Sequence, residues 1–186
     1  PLTHPVAFAP QDSGSAACPV AYEAAPGAKP VFTGGRVITG FKPGADGLWT
    51  ARVPEVAAGT WHFEQLWVNG RRAVRARTPN KFYHHVVRPA RHGTDPDTGQ
   101  PARLASRAFQ AERDDIAPLF DIAPDRLSGV TLVLYHSWAV SRHRIRHVDP
   151  QRNRVYIIGK TPWPFMRWRN RQRYHLESFM AALDAP

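Results

Sequence analysis

The dipeptide Asn69-Gly70 is the tightest local constraint on what this chain can fold into. It stands between two strand-like runs, Phe63-Glu64-Gln65-Leu66-Trp67-Val68 and Arg71-Arg72-Ala73-Val74-Arg75-Ala76. Asn and Gly both tolerate positive φ, so a two-residue type I′ turn closes an antiparallel hairpin here. That register sets Trp67 opposite Arg72, a pairing suited to cation–π contact, and Glu64 opposite Arg75, an opposite-charge pair. Turn chemistry, strand propensity and cross-strand pairing agree.

Elsewhere the apolar runs are short. Pro5-Val6-Ala7-Phe8, Pro19-Val20-Ala21-Tyr22, Pro30-Val31-Phe32 and Arg36-Val37-Ile38-Thr39 are separated by Gly, Pro and Ser turns. Strands of this length do not hold an independent hairpin sheet. They suit a β-solenoid, in which each short strand pairs with the coil above and the coil below. Further on, Arg88 to Arg103 reads as a long surface loop, and Asp114 to Phe120 as a short helix limited by Pro118. Thr131-Leu132-Val133-Leu134-Tyr135 reads as a buried strand. A second strand from Trp138 to Val148 turns through Asp149-Pro150-Gln151-Arg152-Asn153 and returns as Arg154-Val155-Tyr156-Ile157-Ile158. Leu176, Phe179, Met180 and Leu183 fall at i, i+3, i+4 and i+7, one face of a helix. The expected class is mainly β with one or two short helices.

Composition adds bounds. The 186 residues include six Trp and are 42% hydrophobic, enough for a real core. No apolar run approaches the roughly 18 residues of a membrane span. Nothing between Pro1 and Cys18 has the form of a signal peptide, and a chain that starts at Pro1 is expected to have been trimmed. The lone Cys18 excludes an intramolecular disulfide and a Cys-based zinc site. The formal charge is +10 and nearly all of the basic residues are Arg. Such an excess fits an acidic glycan, a nucleic acid or the codon bias of a GC-rich genome.

Residues that could carry chemistry are few. His143 and His147 share a face of the expected strand and read as a solvated face, while His84 and His85 diverge as strand neighbours. Asp95-Pro96-Asp97-Thr98-Gly99 opens like a calcium loop but lacks the later ligands, and reads as a turn. No metal site and no cofactor is expected. Glycoside hydrolysis needs two carboxylates facing each other across about 5–10 Å. The spacing of Glu64, Asp114, Asp115, Asp121 and Asp125 sets no two in that relation, so no catalytic residue is assigned. The most binding-like segment is Pro162-Trp163-Pro164-Phe165-Met166-Arg167-Trp168-Arg169-Asn170-Arg171-Gln172-Arg173-Tyr174. Its aromatics can stack on sugar rings while the guanidinium groups meet anions. Equally, Trp163, Phe165 and Trp168 can lock the loop onto the core. The substrate-binding candidates are Trp163, Arg167, Trp168 and Arg169.

A family resemblance gathers these pieces. Asp12-Ser13-Gly14, Pro19-Val20-Ala21-Tyr22, Pro26-Gly27-Ala28-Lys29-Pro30-Val31 and Gly34-Gly35-Arg36-Val37-Ile38-Thr39-Gly40-Phe41 resemble early coils of bacterial right-handed parallel β-helix proteins. The stretch from Phe63 through Asn69-Gly70 to Asn80 resembles the opening of the insertion domain of glycoside hydrolase family 141-like members. His136-Ser137-Trp138, Ser141-Arg142 and Ile145 resemble that domain's later pattern, and Arg173-Tyr174-His175-Leu176-Glu177 to Pro186 its return segment.

The resemblance implies three parts: partial β-helix coils over 1–41, an inserted β-barrel-like domain over 42–175, and a return segment over 176–186. It further implies an extracellular or cell-surface bacterial protein acting on polysaccharide, with the active site on the large β-helix. This chain is then a non-catalytic insertion region that shapes or supports polysaccharide or oligosaccharide binding beside the remainder of its own β-helix. The alternative is a stand-alone glycan-binding or adhesion module. Nucleic acid is not the expected partner.

Overall fold

The computed structural model describes residues 4–184, and the chain falls into two compact units, Pro1–Leu66 and Trp67–Pro186. The first three residues of the segment 1–41 and the last two of 176–186 lie outside the described residues.

In the first unit, β1 (Lys42–Pro43) and β2 (Trp49–Thr50) form a minimal hairpin. The helix α1 (Pro54–Ala57) is a single turn opened by Pro54, at a position where a missing N–H costs nothing. Arg36 lies 4.6 Å over the Trp61 ring and 3.7 Å from the Glu55 carboxylate. No described residue of this unit is buried. Residues 4–41 contain one 3-10 turn, Pro10–Asp12, and no strand, so the expected solenoid coils are not formed among them. Runs of four residues have no ladder of their own. Their backbone groups need a neighbouring strand to form a ladder.

The second unit opens on the hairpin of β3 (Trp67–Val68) and β4 (Arg71–Arg72). Asn69 and Gly70 take φ of 50° and 74°, and Trp67 faces Arg72, the expected turn and register. The Arg75 guanidinium donates to Glu177 at 2.8 Å. There follow β5 (Arg77–Thr78), β6 (His84–His85), β7 (Arg88–Pro89), β8 (His92–Thr94), β9 (Pro101–Arg103) and β10 (Ala108–Gln110). After α2 (Arg113–Ile116) come β11 (Thr131–Tyr135), β12 (Val140–Asp149), β13 (Arg154–Ile157) and β14 (Arg173–Glu177).

One antiparallel sheet holds most of these in the order β5-β14-β11-β12-β13-β10-β7, with β6 also on β14. No closed barrel is formed among the described residues. The ends of this path are instead spanned by one connecting segment, where Val86 N–H donates to the Gln172 carbonyl and Val87 N–H to that of Gln110, both at 2.9 Å. Strand periodicity places the core. Leu132 and Leu134 of β11, Tyr174 and Leu176 of β14, and Phe109 of β10 pack on one side, each fully buried. Burying each such side chain contributes about 1.5–3 kcal/mol. The other side of β14 carries His175 and Glu177, which bond to each other at 2.9 Å.

Four further expectations change. Arg88 to Arg103 is not one loop, because β7 pairs with β10 and β8 with β9 around the Asp95–Gly99 turn. The helix expected over Asp114 to Phe120 is α2 followed by a 3-10 turn, Ala117–Leu119, in which Pro118 removes a helical donor. Leu176 belongs to a strand rather than a helix, because β14 gains ladder partners on both sides, Leu132 and Thr78. Only a 3-10 turn, Met180–Ala182, follows it. Finally, His143 and His147 do not share a face. A bulge between Ile145 and His147 admits Arg146 as an extra residue and shifts the phase of β12.

Candidate functional site

Two connections place the aromatic cluster. The turn after β11 is tight, with His136 N–H donating to the Ala139 carbonyl at 2.7 Å, and it lifts Trp138 outward. The loop from β13 to β14 carries Trp163 and Trp168. Because β11 and β14 are neighbours in the sheet, both connections meet at one end of it. All three indoles touch. Ring centroids are 5.5 Å apart for Trp138 and Trp163, 4.7 Å for Trp138 and Trp168, and 5.2 Å for Trp163 and Trp168. His136 packs edge-on against Trp163 at 5.2 Å.

The loop is held from below by other residues. Phe165 is buried against Phe109 at 4.9 Å, and its N–H donates to the Ala105 carbonyl at 2.9 Å. Thr161 N–H donates to the Ser106 carbonyl at 2.8 Å. Gln172, also buried, clamps the base. Its side-chain oxygen accepts from Met166 N–H at 2.7 Å, and its amide nitrogen lies 3.3 Å from both the Tyr135 carbonyl and His136 Nδ1. With these anchors, Trp168 remains 44% exposed and Trp138 67% exposed, while Trp163 is half-buried and Phe165 is 2% exposed. Arg167 and Arg169 flank Trp168 at the surface.

Under the indoles runs a directed chain of hydrogen bonds. The Gln172 amide donates to His136 Nδ1, so the ring proton sits on Nε2, which lies 2.8 Å from Ser141 Oγ. The Ser141 hydroxyl then donates to His143 Nε2 at 2.9 Å. Burial lowers the pKa of both histidines, so both rings are neutral near pH 7. This chain fixes ring orientations.

A family model described as the GH141 insertion domain matches residues 46–170, more than half of the chain. The chain belongs to that family. A solved structure titled "Glycoside hydrolase" is similar at a TM-score of 0.54 and 24% identity, over 80% of this chain and 25% of that one. The likeness is one of fold, and the GH141 insertion domain chain spans about a quarter of that protein's length. No curated protein matches it.

Several of the remaining candidates in this GH141 insertion domain have structural partners. Asp115 Oδ1 accepts from His84 Nδ1 at 2.9 Å, and the Tyr174 hydroxyl lies 3.5 Å from Oδ2. The pKa of His84 is lowered because desolvation outweighs the nearby carboxylate, so the ring is a neutral donor. Its Nε2 is buried with no hydrogen-bond partner. Asp114, Asp121 and Asp125 are exposed. Asp95 and Asp97 are taken up by Arg107 and Arg146, and Asp97 N–H donates to Asp95 Oδ1 at 2.9 Å, an Asx turn. Among the described residues, no group of three His, Cys, Asp or Glu could hold a metal ion, and no helix is long and apolar enough to cross a membrane. Sequence reasoning missed Trp138, His136 and Gln172. His136-Ser137-Trp138 carries part of the family resemblance and Gln172 lies in the binding-like segment, but neither signal assigns them a place in a site.

Proposed function

We propose that this chain is the non-catalytic insertion region of a polysaccharide-active protein of glycoside hydrolase type, and that glycan rests on Trp138, Trp163 and Trp168 with Arg167 and Arg169 beside them. One observation carries this reading. Trp138 and Trp168 present their rings to solvent on a loop anchored by a different residue, Phe165. Anchoring indoles would be buried, and large exposed aromatics grouped on a rigid support mark a surface that meets a ligand. The family supports the carbohydrate context, and the loop's tethers reduce the ordering cost of binding.

In the same proposal the parent protein carries a right-handed β-helix, acts outside a bacterial cell, and supplies the catalytic carboxylates. The coils of that β-helix cover exposed side chains such as Val31, Phe32 and Val37. The chain by itself releases no reducing sugar from polysaccharide.

Affinity electrophoresis of the whole chain in gels cast with plant and microbial polysaccharides tests the platform. Retardation by at least one polymer is expected, lost in Trp138→Ala and in Trp168→Ala with the unfolding midpoint nearly unchanged. If no polymer retards the protein, or if either substitution lowers the midpoint by several degrees, the indoles are structural and the reading is wrong.

A further inference from the structure

Resting on that reading, we infer that the platform selects glycans bearing carboxylates, uronic-acid sugars, with Arg167 and Arg169 as the selecting residues. The inference comes from which polar groups are left over. The recess beside Trp168 is lined by Tyr135, His136, Ser137, Arg167, Arg169 and Gln172 among its polar groups, and by no Asp or Glu. The Gln172 amide is spent on Met166, Tyr135 and His136. His136 is spent on Gln172 and Ser141 through its two nitrogens. The Tyr135 hydroxyl lies 3.4 Å from His175 Nδ1. What remains for a ligand is the Ser137 hydroxyl and guanidinium donors.

Four arginines of this unit hold carboxylates. Arg75 holds Glu177, Arg107 holds Asp95, Arg146 holds Asp97, and Arg152 holds Asp149. Among the described residues, Arg167, Arg169 and Arg171 form no salt bridge, although all three lie exposed within five consecutive residues. Like charges so close repel one another, and an anion laid across them relieves that repulsion. A neutral sugar offers hydroxyl pairs that are best held by groups able to accept as well as donate. This surface donates almost exclusively. A uronic-acid ring matches it in both respects, since its apolar face can stack on an indole while its carboxylate, at the ring's edge, meets a guanidinium fork bidentately. Stacked nucleobases and phosphates would also suit Arg and Trp, but the family sets this chain in a carbohydrate context.

Calorimetric titration of the whole chain uses three probes of equal length: an oligogalacturonate, the same oligosaccharide with its carboxylates reduced to alcohols, and single-stranded DNA. The acidic sugar is expected to bind about tenfold more tightly than the reduced one, the size of one charge-assisted hydrogen bond. The double variant Arg167→Gln with Arg169→Gln should bring the two sugars to equal affinity, while Trp168→Ala should weaken both. Equal affinity of the unsubstituted protein for the two sugars overturns the selectivity and leaves the platform standing. If neither sugar binds while a polysaccharide still retards the chain in gels, the uronic-acid selectivity is overturned and the platform stands; if no polymer retards it either, the platform itself is refuted. DNA binding tighter than the acidic sugar, with the same arginine dependence, overturns the choice of ligand.

Discussion

Phe8, Tyr22, Phe32 and Trp49 of the first unit are exposed, whereas Phe109, Phe165, Tyr174 and Leu134 of the second are buried to 2% or less. Both units therefore hold large apolar side chains, and what separates them is pairing. In the second, β11 lies between β14 and β12, so its backbone is satisfied on both edges and its alternate side chains point together. Among the described residues of the first, the only strand pair is two residues on each side. Apolar content becomes a core only where ladders fix which side chains share a face.

The contrast predicts a graded response to substitution. Phe109→Ala should cost about 3–5 kcal/mol in urea unfolding, because it removes a ring that Phe165 and Tyr174 both contact. A loss below about 1 kcal/mol would erase the distinction between the units. Gln172→Ala should cost about 1–3 kcal/mol by leaving Met166 N–H and His136 Nδ1 without their partner. It should also raise hydrogen exchange across the loop carrying Trp168. Gly70→Val should cost about 1–2 kcal/mol, since a β-branched residue resists positive φ. An unchanged midpoint would refute the importance of that turn.

The pH response should be gentler and should come from the second unit, where His84, His136 and His143 all have lowered pKa values through burial. The unfolded chain takes up protons near the ordinary value of 6.5 while the folded chain resists them. Stability is then fully present above that value and declines as pH falls through it. Urea midpoints at pH 7.5 and pH 5.5 check the sign, and a midpoint that rises on acidification would contradict it. Smallest of all, Phe32→Ala in the first unit should change stability by no more than about 0.5 kcal/mol.

How far the sequence reveals this molecule depends on how local each cause is. The Asn69-Gly70 hairpin and the turn through Asn153 are legible because two to five residues determine them. Thr131–Tyr135 is legible as a continuous β-prone run. Strands of two or three residues containing Pro or Gly, such as Arg88–Pro89 and His92–Thr94, carry no period to detect and exist because a partner strand is beside them. Trp163 and Trp168 announce themselves as a binding-like segment. Trp138 does not, because it reaches them only through the adjacency of β11 and β14, a relation between residues about 40 apart. The same adjacency brings Gln172 to His136.

The bulge in β12 makes the second unit count in an uneven way. A strand has a two-beat reading frame, and Ile145 and Val148, three apart, both reach the core only because Arg146 and His147 share one outward beat. Arg146 is thus the spare letter of this strand. Removing it would leave the same side chains inward and would flatten the added twist where the strand passes from β11 to β13. Adding a residue a few places to either side would throw half the strand out of frame. The middle of β12 keeps strict time.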